Sequence, residues 1–126
     1  MVEDNKLNQL VAKKILSKFK VEISLAENGQ EAVDMVQKER YDLILMDIHM
    51  PIMDGIEATK SIRALKDPFF QQIPIVALSA DAYSDQVQAT TESGMNDYLA
   101  KPFKPEDLFQ KIKTNMGKAW NARGTV

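Results

Sequence analysis

Leu43-Ile44-Leu45-Met46-Asp47-Ile48-His49-Met50-Pro51 is the stretch whose reading decides the fold. Four apolar residues run without a break into one aspartate, and a proline follows four residues later. Such a run reads as a strand covered on both faces. Open α/β sheets build their sites at the carboxyl ends of strands of this kind. Asp47 stands at that end, and burying a carboxylate there is costly without a chemical purpose. Its plainer use would be to cap the turn that follows.

Outward from this strand the pattern alternates. On the N-terminal side, Asn5 can cap a helix whose apolar positions are Leu7, Leu10, Val11, Ile15 and Phe19. Val21, Ile23 and Leu25 alternate with Glu22 and Ser24, which reads as a half-buried or edge strand. Glu27-Asn28-Gly29 is a turn, and Ala32, Val33 and Val36 mark a short amphipathic helix. On the C-terminal side, residues 51–55 form a loop in which Asp54 can cap a helix from Ile56 to Leu65. Asp67-Pro68 breaks that helix. Ile75-Val76-Ala77-Leu78 is a second fully apolar strand, ending in Ser79. A polar helix runs from about Ser84 to Ser93 and closes at Gly94. Tyr98-Leu99-Ala100 is a short strand ahead of Lys101-Pro102, and Pro105 opens a last helix carrying Leu108, Phe109, Ile112 and Met116 on one face. Strands alternating with helices imply βαβ units and a doubly wound parallel sheet. One domain is expected over 1–118, with a polar tail over 119–126.

Composition narrows the chemistry. At 126 residues the chain can build one core. Its 16 basic residues against 18 acidic ones lack the surplus of a nucleic-acid binder. No apolar run approaches the roughly 18 residues of a membrane span, and no signal peptide is present, so a cytoplasmic location is expected. The absence of cysteine removes thiol chemistry, and a single histidine rules out a histidine-rich metal site.

In a parallel sheet the strand ends converge. The residues brought together are Glu3, Asp4, Asp47, Ser79 and Lys101. Three carboxylates repel unless a cation lies among them. Oxygen ligands suit a hard ion, Mg²⁺ or Mn²⁺. The lysine and the hydroxyl can donate to phosphoryl oxygens, and a carboxylate can accept a phosphoryl group.

The chain resembles the receiver domain of two-component response regulators, with a CheY-like, flavodoxin-like fold. The matching segments are Val2-Glu3-Asp4-Asn5, residues 46–55 from Met46 to Gly55, Ala77-Leu78-Ser79-Ala80 and Lys101-Pro102-Phe103. The resemblance implies that Asp47 is the phosphoacceptor. It implies that Glu3, Asp4, Asp47 and the backbone carbonyl of His49 surround Mg²⁺, with Asp4 a direct ligand and Glu3 acting through water. Ser79 would bond the phosphoryl group and Lys101 would pair with it. Ser79 and Tyr98 would form the switch, His49 and Asp81 would tune phosphate lifetime, and Pro102 would follow a cis peptide. The implied donors are a histidine kinase or a histidine phosphotransfer domain, and the pattern around Asp47 resembles receivers fused to hybrid histidine kinases. As a separate module it is no enzyme beyond catalysing its own phosphorylation and dephosphorylation.

One departure stands out. Receiver domains open with an apolar strand before the acidic pair, in the sheet order 2-1-3-4-5, whereas only Met1 and Val2 precede Glu3 here. Three arrangements would meet this: the numbering begins inside a longer protein, the second strand shifts to pair with the third, or a second copy donates a strand or helix. The expectation is a four-stranded sheet and a homodimer through exchange. Two other functions compete. One is a non-phosphorylated interaction or dimerisation domain of the same fold. The other is an aspartate-nucleophile phosphatase, disfavoured because His49 stands where its second catalytic aspartate belongs.

Overall fold

Ile44–Asp47 (β1) is buried at every position, as its unbroken apolar run requires. The computed structural model describes residues 1–18, 23–48, 52–79, 91–101 and 104–116. Ile75–Ser79 (β2), equally buried, pairs with β1 in parallel, Ile44 opposite Ile75 and Asp47 opposite Leu78. Asp97–Ala100 (β3) pairs with β2 in parallel, Ser79 opposite Ala100. The ladder therefore holds three strands in the order β1-β2-β3.

Four strands were expected, and the difference lies at the first two. The chain's own Met1–Glu3 occupies the centre, where Val2 makes parallel bridges to both Ala26 and Met46. The Val2 N–H donates to the Leu45 carbonyl at 2.7 Å, and the Asp47 N–H donates to the Val2 carbonyl at 3.0 Å. On the other side the Glu3 N–H reaches the Ala26 carbonyl and the Ala26 N–H reaches the Met1 carbonyl, both at 2.9 Å. Val21 and Glu22, in the expected strand over 21–25, lie outside the described residues; among the described ones the pairing on this side is one bridge at Ala26, and an apolar groove lined by Met35, Val36, Tyr41 and Leu43 lies beside it. The spatial order still places Val2 between Ala26 and β1, so the second segment does not shift onto the third.

Helices cover both faces. Gly29–Lys38 (α2) and Gly55–Arg63 (α3) pack with Ile44, Met46, Ile75 and Ala77 on one side. Lys6–Ser17 (α1) and Pro105–Met116 (α5) pack with Leu45, Val76, Leu78 and Leu99 on the other. Consecutive strand residues point to opposite layers, which is why a run with no polar member is needed. A short helix, Phe69–Gln72 (α4), follows the break at Asp67-Pro68, a feature the sequence reading did not anticipate.

The caps read at Asn5 and Asp54 are present, and Asn28, read as part of a turn, is a cap as well: each accepts from an N–H in the first turn of the following helix. Gly94 adopts φ +109°, the left-handed backbone that ends a helix. The apolar face of α1 is a correction. Leu7 and Leu10 are 67% and 57% exposed, and Val11 is exposed as well, while Gln9, Ala12, Ile15 and Leu16 are buried. Ala12 lets the helix approach the sheet closely, and the Gln9 amide is used at the site described next. Phe19, most of the expected 84–93 helix and the tail over 119–126 lie outside the described residues. Among the described residues no helix is long and apolar enough to cross a membrane.

Candidate functional site

The Val2 bridges set Glu3 directly beside the end of β1, and the chain then turns into α1 through the Asn5 cap. Glu3 is fully buried, Asp47 is 4% exposed, and Asp4 remains in solvent. Carboxylate oxygens of Glu3, Asp4 and Asp47 all lie within 4.8 Å of one another. Lys101 reaches this cluster from the end of β3. Its main-chain N–H donates to the Ser79 carbonyl at 2.8 Å, holding the two strand ends together. Its Nζ lies 2.8 Å from Glu3 Oε1 and 3.1 Å from Asp47 Oδ1. Ser79 is buried at the end of β2. The structure therefore brings together Glu3, Asp4, Asp47 and Lys101, with Ser79 tied to Lys101 through the main chain.

Gly55, at the start of α3, lies against the end of β1. The Gly55 N–H donates to the Ile48 carbonyl at 2.9 Å. A Cβ on Gly55 would fall 2.1 Å from the Asp47 carbonyl oxygen, so no other residue fits without displacing that peptide. Asp54 caps α3 through the Glu57 N–H at 2.8 Å, the role expected of it in place of ligation. His49, with its carbonyl, and Asp81 and Pro102 lie outside the described residues.

The electrostatics follow from burial. Desolvation pushes the Asp47 carboxyl from its ordinary 3.8 to about 7; the neighbouring Glu3 adds to the rise and Lys101 opposes it. Burial would raise Glu3 too, but Asp47, Lys101 and Asn8 outweigh it and hold Glu3 below the usual carboxylate range. For Lys101, burial alone would lower the ammonium, yet Glu3 and Asp47 prevail and raise it. Of the two buried carboxyls, Asp47 is the one that binds a proton more tightly, because burial and Glu3 outweigh Lys101 there. Three carboxylates against one ammonium leave an excess of negative charge when all are ionised. Glu3 Oε2 is buried and makes no hydrogen bond among the described residues. A divalent cation bound by oxygens fits that donor set.

Tyr98 lies on β3, opposite Ala77 and 39% exposed. Lys111 Nζ stands 5.5 Å from its ring centroid and 2.8 Å from Asp97 Oδ1. Burial would raise Asp97, but Lys111, the Tyr98 N–H and Asn115 outweigh it and hold the carboxyl below its usual range. The sequence reading missed two residues at the acidic site. The Asn8 amide donates to Glu3 Oε1 at 2.5 Å, and the Gln9 amide donates to the Glu3 carbonyl at 2.6 Å. The available signal was a pair of amide side chains one turn after the acidic pair, too common in helices to single out.

Comparison with known proteins settles the family: the description "response regulator receiver domain" matches residues 1–113. The chain belongs to the response regulator receiver domains. This receiver is 42% identical over 112 residues to the sensor protein GacS of Pseudomonas syringae pv. syringae, covering 88% of the chain and 12% of that protein. It is 38% identical over 123 residues to hybrid signal transduction histidine kinase I of Dictyostelium discoideum, covering 94% of the chain and 7% of that protein. The chain therefore spans about a tenth of these relatives. Among solved structures, it superposes on the receiver domain of sensor histidine kinase PA1611 from Pseudomonas aeruginosa with TM-score 0.84 at 40% identity. That match covers 92% of this chain and 93% of that one, which was crystallised with a magnesium ion coordinated in its active site cleft. The fold is the CheY-like receiver fold.

Proposed function

We propose that this receiver accepts a phosphoryl group on Asp47 from a phosphohistidine of a histidine kinase or a histidine phosphotransfer domain. The observation that carries this reading is the Lys101 ammonium, within 3.1 Å of the Asp47 carboxylate at the end of a buried strand. An Asp47 carboxylate oxygen bonds to phosphorus as the phosphorus–nitrogen bond breaks, and the departing imidazole nitrogen keeps the electron pair and takes a proton. Lys101 stays beside the acceptor to offset the charge of the phosphoryl oxygens, and Ser79, at the end of the adjoining strand, donates to one of them. Asp4 and Asp47, with the His49 carbonyl, would hold Mg²⁺ or Mn²⁺, and Glu3 would act through water. When bound, that cation supplies neutralisation of the carboxylates and of the phosphoryl group.

The readout is a local charge change that repacks one surface. Ser79 is drawn toward the phosphoryl group, and the Tyr98 ring leaves its exposed position to follow it. The surface that changes is formed by the last two strands, β2 and β3, and their helices. His49 and Asp81 would tune the lifetime of the phosphorylated state. The sensor-kinase relatives support origin as the cytoplasmic module of a hybrid histidine kinase, whose transferase activity would belong to the larger protein. The exposed stripe Leu7, Leu10 and Val11 on α1 begins one turn after Asp4, where a donor protein can cover it on reaching Asp47.

The test is the intact mass of the chain after incubation with acetyl phosphate and Mg²⁺, beside Asp47→Asn and an EDTA control. One added phosphoryl group in wild type alone is the expected result. No adduct on folded wild type in saturating Mg²⁺ would overturn the reading and favour a non-phosphorylated interaction domain.

A further inference from the structure

We propose that Asn8 is a positioning residue of the acidic site, its carboxamide fixing Glu3 in the rotamer that turns one oxygen toward the cation-binding cluster. The inference rests on the phosphoacceptor reading above. The two oxygens of Glu3 differ in their surroundings. Oε1 takes Asn8 Nδ2 at 2.5 Å and Lys101 Nζ at 2.8 Å. Oε2 is buried, makes no hydrogen bond among the described residues, and belongs to the carboxyl that clusters with Asp4 and Asp47. Asn8 and Lys101 thereby fix Oε1, while Oε2 keeps no hydrogen bond among the described residues.

The two donors are not equivalent. Lys101 also serves Asp47 at 3.1 Å, so its hold on Glu3 depends on what that site carries. Asn8 is neutral, does not titrate, and adds no positive charge to repel a cation. Its backbone is anchored, since its N–H donates to Asn5 Oδ1 at 3.1 Å. Gln9, the next residue, grips the Glu3 carbonyl at 2.6 Å from a buried position. Main chain and side chain of Glu3 are thus held at two points by consecutive residues of one helical turn. Groups that orient a metal-site carboxylate are typically worth about 10–100-fold in metal affinity.

The experiment measures Mn²⁺ binding by water-proton relaxation in wild type, Asn8→Leu, Glu3→Gln and the double variant, with urea unfolding in EDTA to confirm that each is folded. Asn8→Ala replaces Asn8→Leu if the bulkier apolar side chain prevents folding. The expected result is affinity about tenfold weaker for Asn8→Leu in the wild-type background and less than twofold weaker in the Glu3→Gln background. The half-saturating Mg²⁺ for acetyl phosphate labelling rises by the same factor, while labelling at saturating Mg²⁺ stays within twofold. Equal losses in both backgrounds, or none in either, would overturn the inference. Wild type that binds Mn²⁺ and takes up phosphoryl while Asn8→Leu matches it refutes this inference alone. Wild type that does neither refutes the phosphoacceptor reading and this one with it.

Discussion

Replacing Asp47 with asparagine is expected to stabilise the metal-free chain, and to do so more strongly as pH rises. Asp47 is buried, and desolvation, then Glu3, lift its carboxyl from 3.8 to about 7 against the pull of Lys101. A carboxyl whose pKa is higher folded than unfolded binds its proton more tightly in the folded state. Its contribution to stability is complete below the unfolded value and is lost as pH climbs from about 4 to about 7. That interval, about 3 on the pH scale at roughly 1.36 kcal/mol each, sets a ceiling of about 4 kcal/mol. An effective dielectric of about 20 at the sheet edge, and a proton shared with Glu3, bring the expectation between pH 5 and pH 8 to about 1–2 kcal/mol. Asparagine keeps the shape, accepts from Lys101 and donates to Glu3, but never ionises. Urea unfolding of both proteins in EDTA at pH 5, 6, 7 and 8 measures the difference, and groups common to both cancel. The stability advantage of Asp47→Asn should grow across this range and level off near pH 8. A difference that is flat with pH, or that shrinks, would refute the claim that Asp47 is held in an environment hostile to its charge. Mg²⁺ gives an internal control. At about 100 times its Kd it should add about 2.7 kcal/mol to wild type and clearly less to the variant.

Three further outcomes follow from the same geometry. Lys101→Met leaves Glu3 and Asp47 without their cation and should cost about 2–4 kcal/mol at pH 7, below the upper end for a fully buried pair because the lysine is 16% exposed; an unchanged urea midpoint would count against the pairing. Gly55→Ala drives a Cβ into the Asp47 carbonyl and should lower stability by at least about 2 kcal/mol, with slower acetyl phosphate labelling as that peptide is displaced; thermal unfolding and the labelling rate check both. Lys111→Met removes the ammonium from the Tyr98 ring and from Asp97, so the Tyr98 ring resonances should shift in NMR spectra at a stability cost of about 1 kcal/mol or less, with Mn²⁺ affinity unchanged.

Legibility in the sequence tracked how local each physical cause was. Unbroken apolar runs at 43–46 and 75–78 named two strands, because a strand covered on both faces tolerates no polar side chain. Caps at Asn5 and Asp54 were readable, because each acts on an N–H within the next turn. The convergence of Glu3, Asp4, Asp47, Ser79 and Lys101 needed only the rule that parallel strands end at one edge. Apart from the short helix Phe69–Gln72, the failures were long-range. The buried face of α1 is chosen by how closely Ala12 can approach the sheet, and counting apolar residues selected Leu7, Leu10 and Val11 instead. Among the described residues the second segment pairs at Ala26 alone, and alternation carries no information about partners. Asn8 and Gln9 read as ordinary surface amides, since what they hold is set by the turn between Asp4 and α1.

The turn at residues 2–4 also explains why sheet and site depend on each other. Val2 donates to β1 and accepts from it, while the next N–H, that of Glu3, crosses to Ala26. A few peptide units therefore tie both flanks of the sheet's centre and fix the Cα of Glu3 beside Asp47. Lys101 then joins Glu3 and Asp47 from the far strand through its ammonium, while its main-chain N–H is tied to the Ser79 carbonyl. The carboxylates that repel one another are consequently held on strands that the backbone ladder already locks. Their repulsion cannot relax by moving the main chain, and what remains is to bind a proton, a lysine or a cation. On the proposed function, a proton on Asp47 would block the acceptor oxygen, whereas Lys101 and a bound divalent cation would keep that carboxylate ionised.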